Sequence, residues 1–105
     1  MASQTLKQDD LYPSFAVTLK NFGTLAGATL VFYMKHAVTG ALKINGRPVI
    51  VTDANAGSVE YRWQTGDTDT PGTYLAEILC TYSDGKPQRF PQRGYFYVVV
   101  EPKLE

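Results

Sequence analysis

Apolar and polar positions alternate with a period of two along most of the chain, and no segment keeps a helical period over three turns. Alternation sends successive side chains to opposite faces of a strand, so each alternating run reads as a strand with one buried side. Residues 14–20 set Phe15, Val17 and Leu19 against Ala16, Thr18 and Lys20. Residues 28–36 set Leu30, Phe32 and Met34 against Val31, Tyr33 and Lys35. Residues 58–64 set Val59, Tyr61 and Trp63 against the polar series Ser58, Glu60, Arg62 and Gln64. The longest run, Tyr74 to Tyr82, alternates Tyr74, Ala76, Ile78, Cys80 and Tyr82 with Thr73, Leu75, Glu77, Leu79 and Thr81. This run is the expected central strand. A short polar return strand at 86–90 and a last apolar strand at 95–100 follow it.

Every junction between these runs carries turn chemistry. Asn21-Phe22-Gly23, a loop about Gly40, 53–57, Ser83-Asp84-Gly85 and 91–94 all contain the residues that turns require. Asn45-Gly46 lies between 42–44 and 48–52, and its preference for type I′ turns predicts a short hairpin there, with Pro48 on an edge strand. Residues 1–10 are polar apart from Leu6, and read as either a frayed arm or a short edge strand pairing through 5–7. Ahead of the central strand, Asp67 and Asp69 are expected to bond their own backbone in Asx-type turns, Pro71 presets φ, and Gly72 supplies a positive φ. A Gly-x-Tyr entering a long strand in this way is the pattern of a tyrosine corner, in which the Tyr74 hydroxyl bonds back to upstream backbone. Seven or eight short strands at this spacing, with that corner, predict an all-β, immunoglobulin-like antiparallel sandwich forming one domain over 1–105. Where antibody domains place a cysteine, two residues after that tyrosine, this chain has Ala76, so the sandwich is expected to stand without a disulfide.

Composition narrows the function classes. At 105 residues the chain can bury a core without staples. Ten basic residues balance ten acidic ones, which removes the long-range field of a general nucleic-acid or anionic-membrane binder. No partner of either kind is expected. The apolar runs fall far short of the roughly 20 residues that cross a bilayer as a helix, and no signal peptide is expected. Cys80 has no partner cysteine and reads as a small buried hydrophobe.

The candidate chemistry is thin, and a non-enzymatic protein without cofactor is expected. Asp67 to Gly72 has the opening of a calcium loop, but Pro71 and Ile78 stand where two ligands would be needed. His36 is the only histidine, so neither a His pair nor a Ser-His-Asp triad forms readily. A Cys80–His36 dyad would need a thiolate in an apolar strand. Glu60 and Glu77 could act as paired carboxylates, yet both read as solvating an outer face. Residues 86–93 interleave cations with Phe90, a pattern on which single-stranded nucleic acid can stack, and read instead as a hairpin rim.

The outward positions are more telling. Strands 28–36, 74–82 and 95–100 should lie side by side, and their outer face carries Val31, Tyr33, Leu75, Leu79, Tyr95, Tyr97 and Val99. Such an apolar outer face predicts an interface with a second copy or another protein, anchored by Tyr33, Tyr95 and Tyr97, unless a loop or the 1–10 arm covers it. The same rings could stack on sugars, which makes a glycan-binding sandwich the alternative.

The segments 57–63, 66–77, 81–85, 89–91 and 94–96, with Leu25 to Lys35 upstream, together resemble the amino-terminal domain of the phage baseplate upper protein family. The resemblance spans about residues 11 to 100. It implies an immunoglobulin-like sandwich serving as a structural module of a tailed-phage or prophage tail. It also implies other tail or baseplate proteins as partners, assembly in the host cytoplasm and residence in the virion. Family members commonly continue into a long carboxy-terminal region, so the chain reads as either a stand-alone accessory protein or a domain of a longer one.

Overall fold

The computed structural model describes residues 3–105, and the described residues form nine strands. They are β1 (Ser3–Lys7), β2 (Phe15–Thr18), β3 (Thr29–His36), β4 (Leu42–Pro48), β5 (Ile50–Asp53), β6 (Ser58–Tyr61), β7 (Gly72–Thr81), β8 (Pro87–Phe90) and β9 (Phe96–Glu101). The larger sheet runs β1-β9-β7-β3-β4 with β8 also on β7, and the smaller runs β2-β6-β5. β7 is the spine. The whole length of β3 pairs with it, from Thr29 opposite Thr81 to His36 opposite Tyr74. The other side of β7 is shared: Gly72 to Ala76 pair with β9, and Ile78 to Thr81 pair with β8.

The inward faces meet in an aromatic core. Phe32 of β3 stacks on Tyr61 of β6 with ring centroids 4.4 Å apart and planes at 8°. The edge of Trp63 meets both rings, at 5.9 and 5.4 Å. Phe15 touches Phe32 and Phe96, joining β2 to the larger sheet. Cys80 and Ala76 are buried in the same layer. Aromatic area of this size does the inter-sheet fastening that a disulfide does in antibody domains.

Two local expectations are corrected. Asn45-Gly46 is not a hairpin turn: β4 runs straight through it along β3, and the register passes from Phe32 opposite Arg47 to Tyr33 opposite Asn45. Gly46 is therefore the extra residue of a bulge, and its φ of +76° is spent there. A side chain would also crowd the Tyr33 ring, since a Cβ at Gly46 would lie 3.3 Å from its hydroxyl. The chain changes sheets one step later, where Val49 turns inward and its N–H donates to the Leu30 carbonyl at 3.0 Å. Pro48 does lie on the sheet edge, as its missing donor requires.

The amino-terminal segment is an edge strand, with pairing wider than expected. Ser3 to Lys7 pair with Tyr97 to Glu101, and do so in parallel, so the sandwich is not wholly antiparallel. Leu6 plugs the core rim and is buried. The rest of that expectation, at Met1 and Ala2, lies outside the described residues.

The corner before β7 is built largely as the residues imply. The Tyr74 hydroxyl donates to the Thr70 carbonyl at 2.6 Å, across Pro71 and Gly72, which takes φ +150°. Burial pushes the Tyr74 phenol above its usual pKa. Tyr74→Phe keeps the ring and leaves that carbonyl short of a donor, so it should cost about 1 to 3 kcal/mol. An unchanged urea midpoint would show that the bond carries no stability. Asp67 departs from the Asx-turn expectation. It is buried, and its carboxylate reaches back to accept from the Tyr61 hydroxyl at 2.6 Å and the Gln64 N–H at 2.8 Å. Asp69 stays on the surface, where its carboxylate accepts from the Thr70 hydroxyl at 3.0 Å and pairs with Lys43.

Candidate functional site

All seven outward residues expected on the larger sheet land on its outer face. The register sets Val31 beside Leu79, and Leu75 between Lys35 and Tyr97. Val99 follows beside Thr73, and Tyr95 stands just before β9. β1 does not cover this face, because it extends the sheet sideways beyond β9.

The face is less open than the alternation suggests. Tyr97 is 41% exposed, whereas Val31, Tyr33, Leu75, Leu79, Tyr95 and Val99 are half-buried by their neighbours. Charges break it into smaller apolar pieces. Lys35 lies over the Tyr95 ring, 5.8 Å from its centroid, and Glu77 pairs with Arg89 at 3.7 Å. Between these groups lies a depression of about 220 Å³ lined by Tyr33, Lys35, Leu42, Leu75, Glu77 and Tyr95. Leu42, on the edge strand β4, is 53% exposed and widens the apolar rim, a contribution the alternation does not reveal because bulges shift β4 against β3.

The remaining candidates are dispersed. Glu60 lies on β6 and Glu77 on β7, pointing outward from opposite sheets, and each faces an arginine: Arg62 at 3.4 Å and Arg89 at 3.7 Å. They cannot flank one bond as an acid and base pair. The His36 Nδ1 accepts from the N–H groups of Val38 and Thr39, at 3.1 and 3.3 Å, so that nitrogen is engaged in the β3–β4 turn. Cys80 is fully buried, and desolvation pushes its thiol up. Phe90 is buried rather than presented between the cations of 86–93. Among the described residues, no group of three or more His, Cys, Asp or Glu side chains is placed to hold a metal ion.

Two packed sheets, the core between them and the tyrosine corner define the class: an immunoglobulin-like β-sandwich without a disulfide. Comparison with known proteins agrees at the level of fold. The solved structure of CopC from Methylosinus trichosporium OB3b aligns with 100% of this chain and 89% of that one, at a TM-score of 0.56 and 13% identity. No protein-family profile matches the chain, and no curated protein matches it. At 13% identity the likeness to CopC carries the fold and no ligand.

The expectation of a phage-tail structural module is corrected by that comparison, since the full-length fold match runs to a bacterial CopC and not to a baseplate component. The glycan alternative keeps one open ring of its three, Tyr97, which is 41% exposed. Stacking on sugars needs open ring faces, but Tyr33 and Tyr95 are half-buried and Lys35 already lies over Tyr95.

Proposed function

We propose that this chain is a non-enzymatic interaction domain that self-associates through the outer face of its larger sheet. The observation that carries the reading is the contrast between the two outer faces. The smaller sheet turns Ala16, Thr18, Ser58 and Glu60 to solvent, with Ile50 the one large apolar side chain beside them, close to the ordinary polar arrangement. The larger one gathers the seven apolar residues on adjacent strands and just before β9, Tyr97 being the most exposed of them. A second copy suits this face because the face carries both signs of charge close together. Glu77 is opposite Tyr33, two positions along the ladder from the Lys35–Leu75 pair and on the same face. A two-fold related copy can set Lys35 of one chain against Glu77 of the other while the tyrosines and leucines meet.

Light scattering across a concentration series tests the reading. The wild-type chain is expected to show a mass above one subunit that rises with concentration. Tyr97→Glu should return it to the monomer, and its urea midpoint should match that of wild type diluted to the monomer, because Tyr97 lies outside the core. A wild type that stays monomeric at millimolar concentration rejects self-association.

A further inference from the structure

The smaller sheet ends on an edge that no strand among the described residues covers. β2 pairs only with β6, Phe15 lying opposite Tyr61 and Val17 opposite Val59. The Leu19 N–H donates to the Gly57 carbonyl at 2.8 Å, which fixes the phase of this ladder: Phe15, Val17 and Leu19 turn their backbone groups toward β6. The alternate residues Ala16 and Thr18 therefore turn their N–H and C=O groups outward. None of these four groups has a hydrogen-bond partner among the described residues. At the next outward position, the Gln92 side chain reaches across from the β8–β9 connection and donates to the Lys20 carbonyl at 2.8 Å.

A groove of about 490 Å³ lies in front of this edge. Val17 and Leu19 line it from the β2 side and Phe90, Pro91 and Phe96 from the β8–β9 side, with Lys20 and Gln92 also in the lining. The groove thus opens between the two sheets, where β2 faces the bend separating β8 from β9. Two of the other edges are blunted: β4 carries two register shifts and Pro48, and β5 is bulged between Val51 and Asp53. β2 has neither proline nor bulge.

We propose that this groove accepts an extended polypeptide segment as a fourth strand of the smaller sheet, pairing with the outward backbone of Ala16 and Thr18. Its chemistry follows from the two walls. Main-chain groups of the segment bond the β2 edge, and every second side chain enters the groove against Val17, Leu19, Phe90 and Phe96, so those side chains must be apolar. The edge of another folded copy does not meet this requirement. The inward side chains of its own β2 edge, Phe15 and Leu19, are 2% and 4% exposed and already committed to its core. The occupant is a single extended strand with free side chains on both faces.

The test uses the full chain and an acetylated nine-residue peptide alternating threonine and valine between terminal lysines, followed by residue-resolved amide hydrogen exchange. At peptide concentrations about tenfold over its dissociation constant, exchange at Ala16 and Thr18 should slow by about tenfold. The β4 edge should be unaffected. Methylating the threonine amides blocks an antiparallel addition and methylating the valine amides a parallel one, so loss in one form reads the direction of the strand. The proposal is overturned if millimolar peptide leaves both amides unprotected, or if a peptide methylated at both sets of amides protects as well as the parent. It is also overturned if the chain alone protects these amides as its own concentration rises, which would make the occupant a second copy.

Discussion

Phe32→Ala is expected to lower the stability of the fold by about 3 to 5 kcal/mol, the range for emptying a large aromatic site in a packed core. Phe32 has no solvent exposure, lies flat on Tyr61 at 4.4 Å, and touches Phe15 and Trp63. It is thus the contact through which β3 of one sheet meets β2 and β6 of the other. Its rigid neighbours are held from behind: the Tyr61 hydroxyl bonds Asp67, and the Trp63 indole N–H donates to the Pro13 carbonyl at 3.1 Å. They cannot move in to fill the space, so the loss should fall near the upper part of that range. Urea unfolding at equilibrium measures it directly, as a lower midpoint at unchanged slope. Val38→Ala, at a position 86% exposed, should stay within about 0.5 kcal/mol. A Phe32→Ala loss no larger than the Val38→Ala loss would mean that the stacked pair does not hold the sheets together.

Asp67→Ala should cost about 1.5 to 3 kcal/mol, the range for hydrogen bonds to a charged group. The substitution leaves the Tyr61 hydroxyl and the Gln64 N–H without their acceptor in a site that water does not reach, since Asp67 is 3% exposed and Tyr61 2%. Arg47, at 3.5 Å from the other carboxylate oxygen, loses its partner as well. The same cluster sets a pH dependence. Burial, and after it the Asp67 carboxylate, push the Tyr61 phenol well above its ordinary value, and burial raises Tyr74 in the same direction. The unfolded chain gives up these protons from about pH 10 while the folded chain keeps them. Stability from this source is therefore whole below about pH 10 and falls as pH rises beyond it. Tyr61→Phe should be less stable than wild type at neutral pH yet lose stability more slowly above pH 10. Parallel curves for the two proteins would rule out the buried phenol as their cause.

The strands and their inward faces were legible in the sequence because alternation is a local signal: burial on one side of a strand is written residue by residue. Phe32, Val59, Tyr61, Trp63, Ile78 and Val98 are buried where the period of two puts them, and the Tyr74 corner follows from Pro71, Gly72 and the ring itself. The apolar outer positions were legible for the same reason. Their exposure was not, since it depends on what neighbouring strands and long charged side chains lay over them: Lys35 on Tyr95, and Arg89 beside Glu77.

Tertiary context also decided how ambiguous local chemistry was used. Asn45-Gly46 supplies a positive φ that serves a hairpin turn or a bulge equally well, and the long pairing of β4 with β3 selected the bulge. Asp67 could bond forward in a turn or backward to a buried phenol, and the position of Tyr61 beneath it selected the second. The amino-terminal residues alone say little about pairing, yet the open side of β9 gave Ser3 to Lys7 a parallel partner, while the outward backbone of β2 was left without one. Which strand lies beside which is a property of closing the two sheets over one core. Residues far apart in the chain meet only then, and no local pattern encodes that meeting.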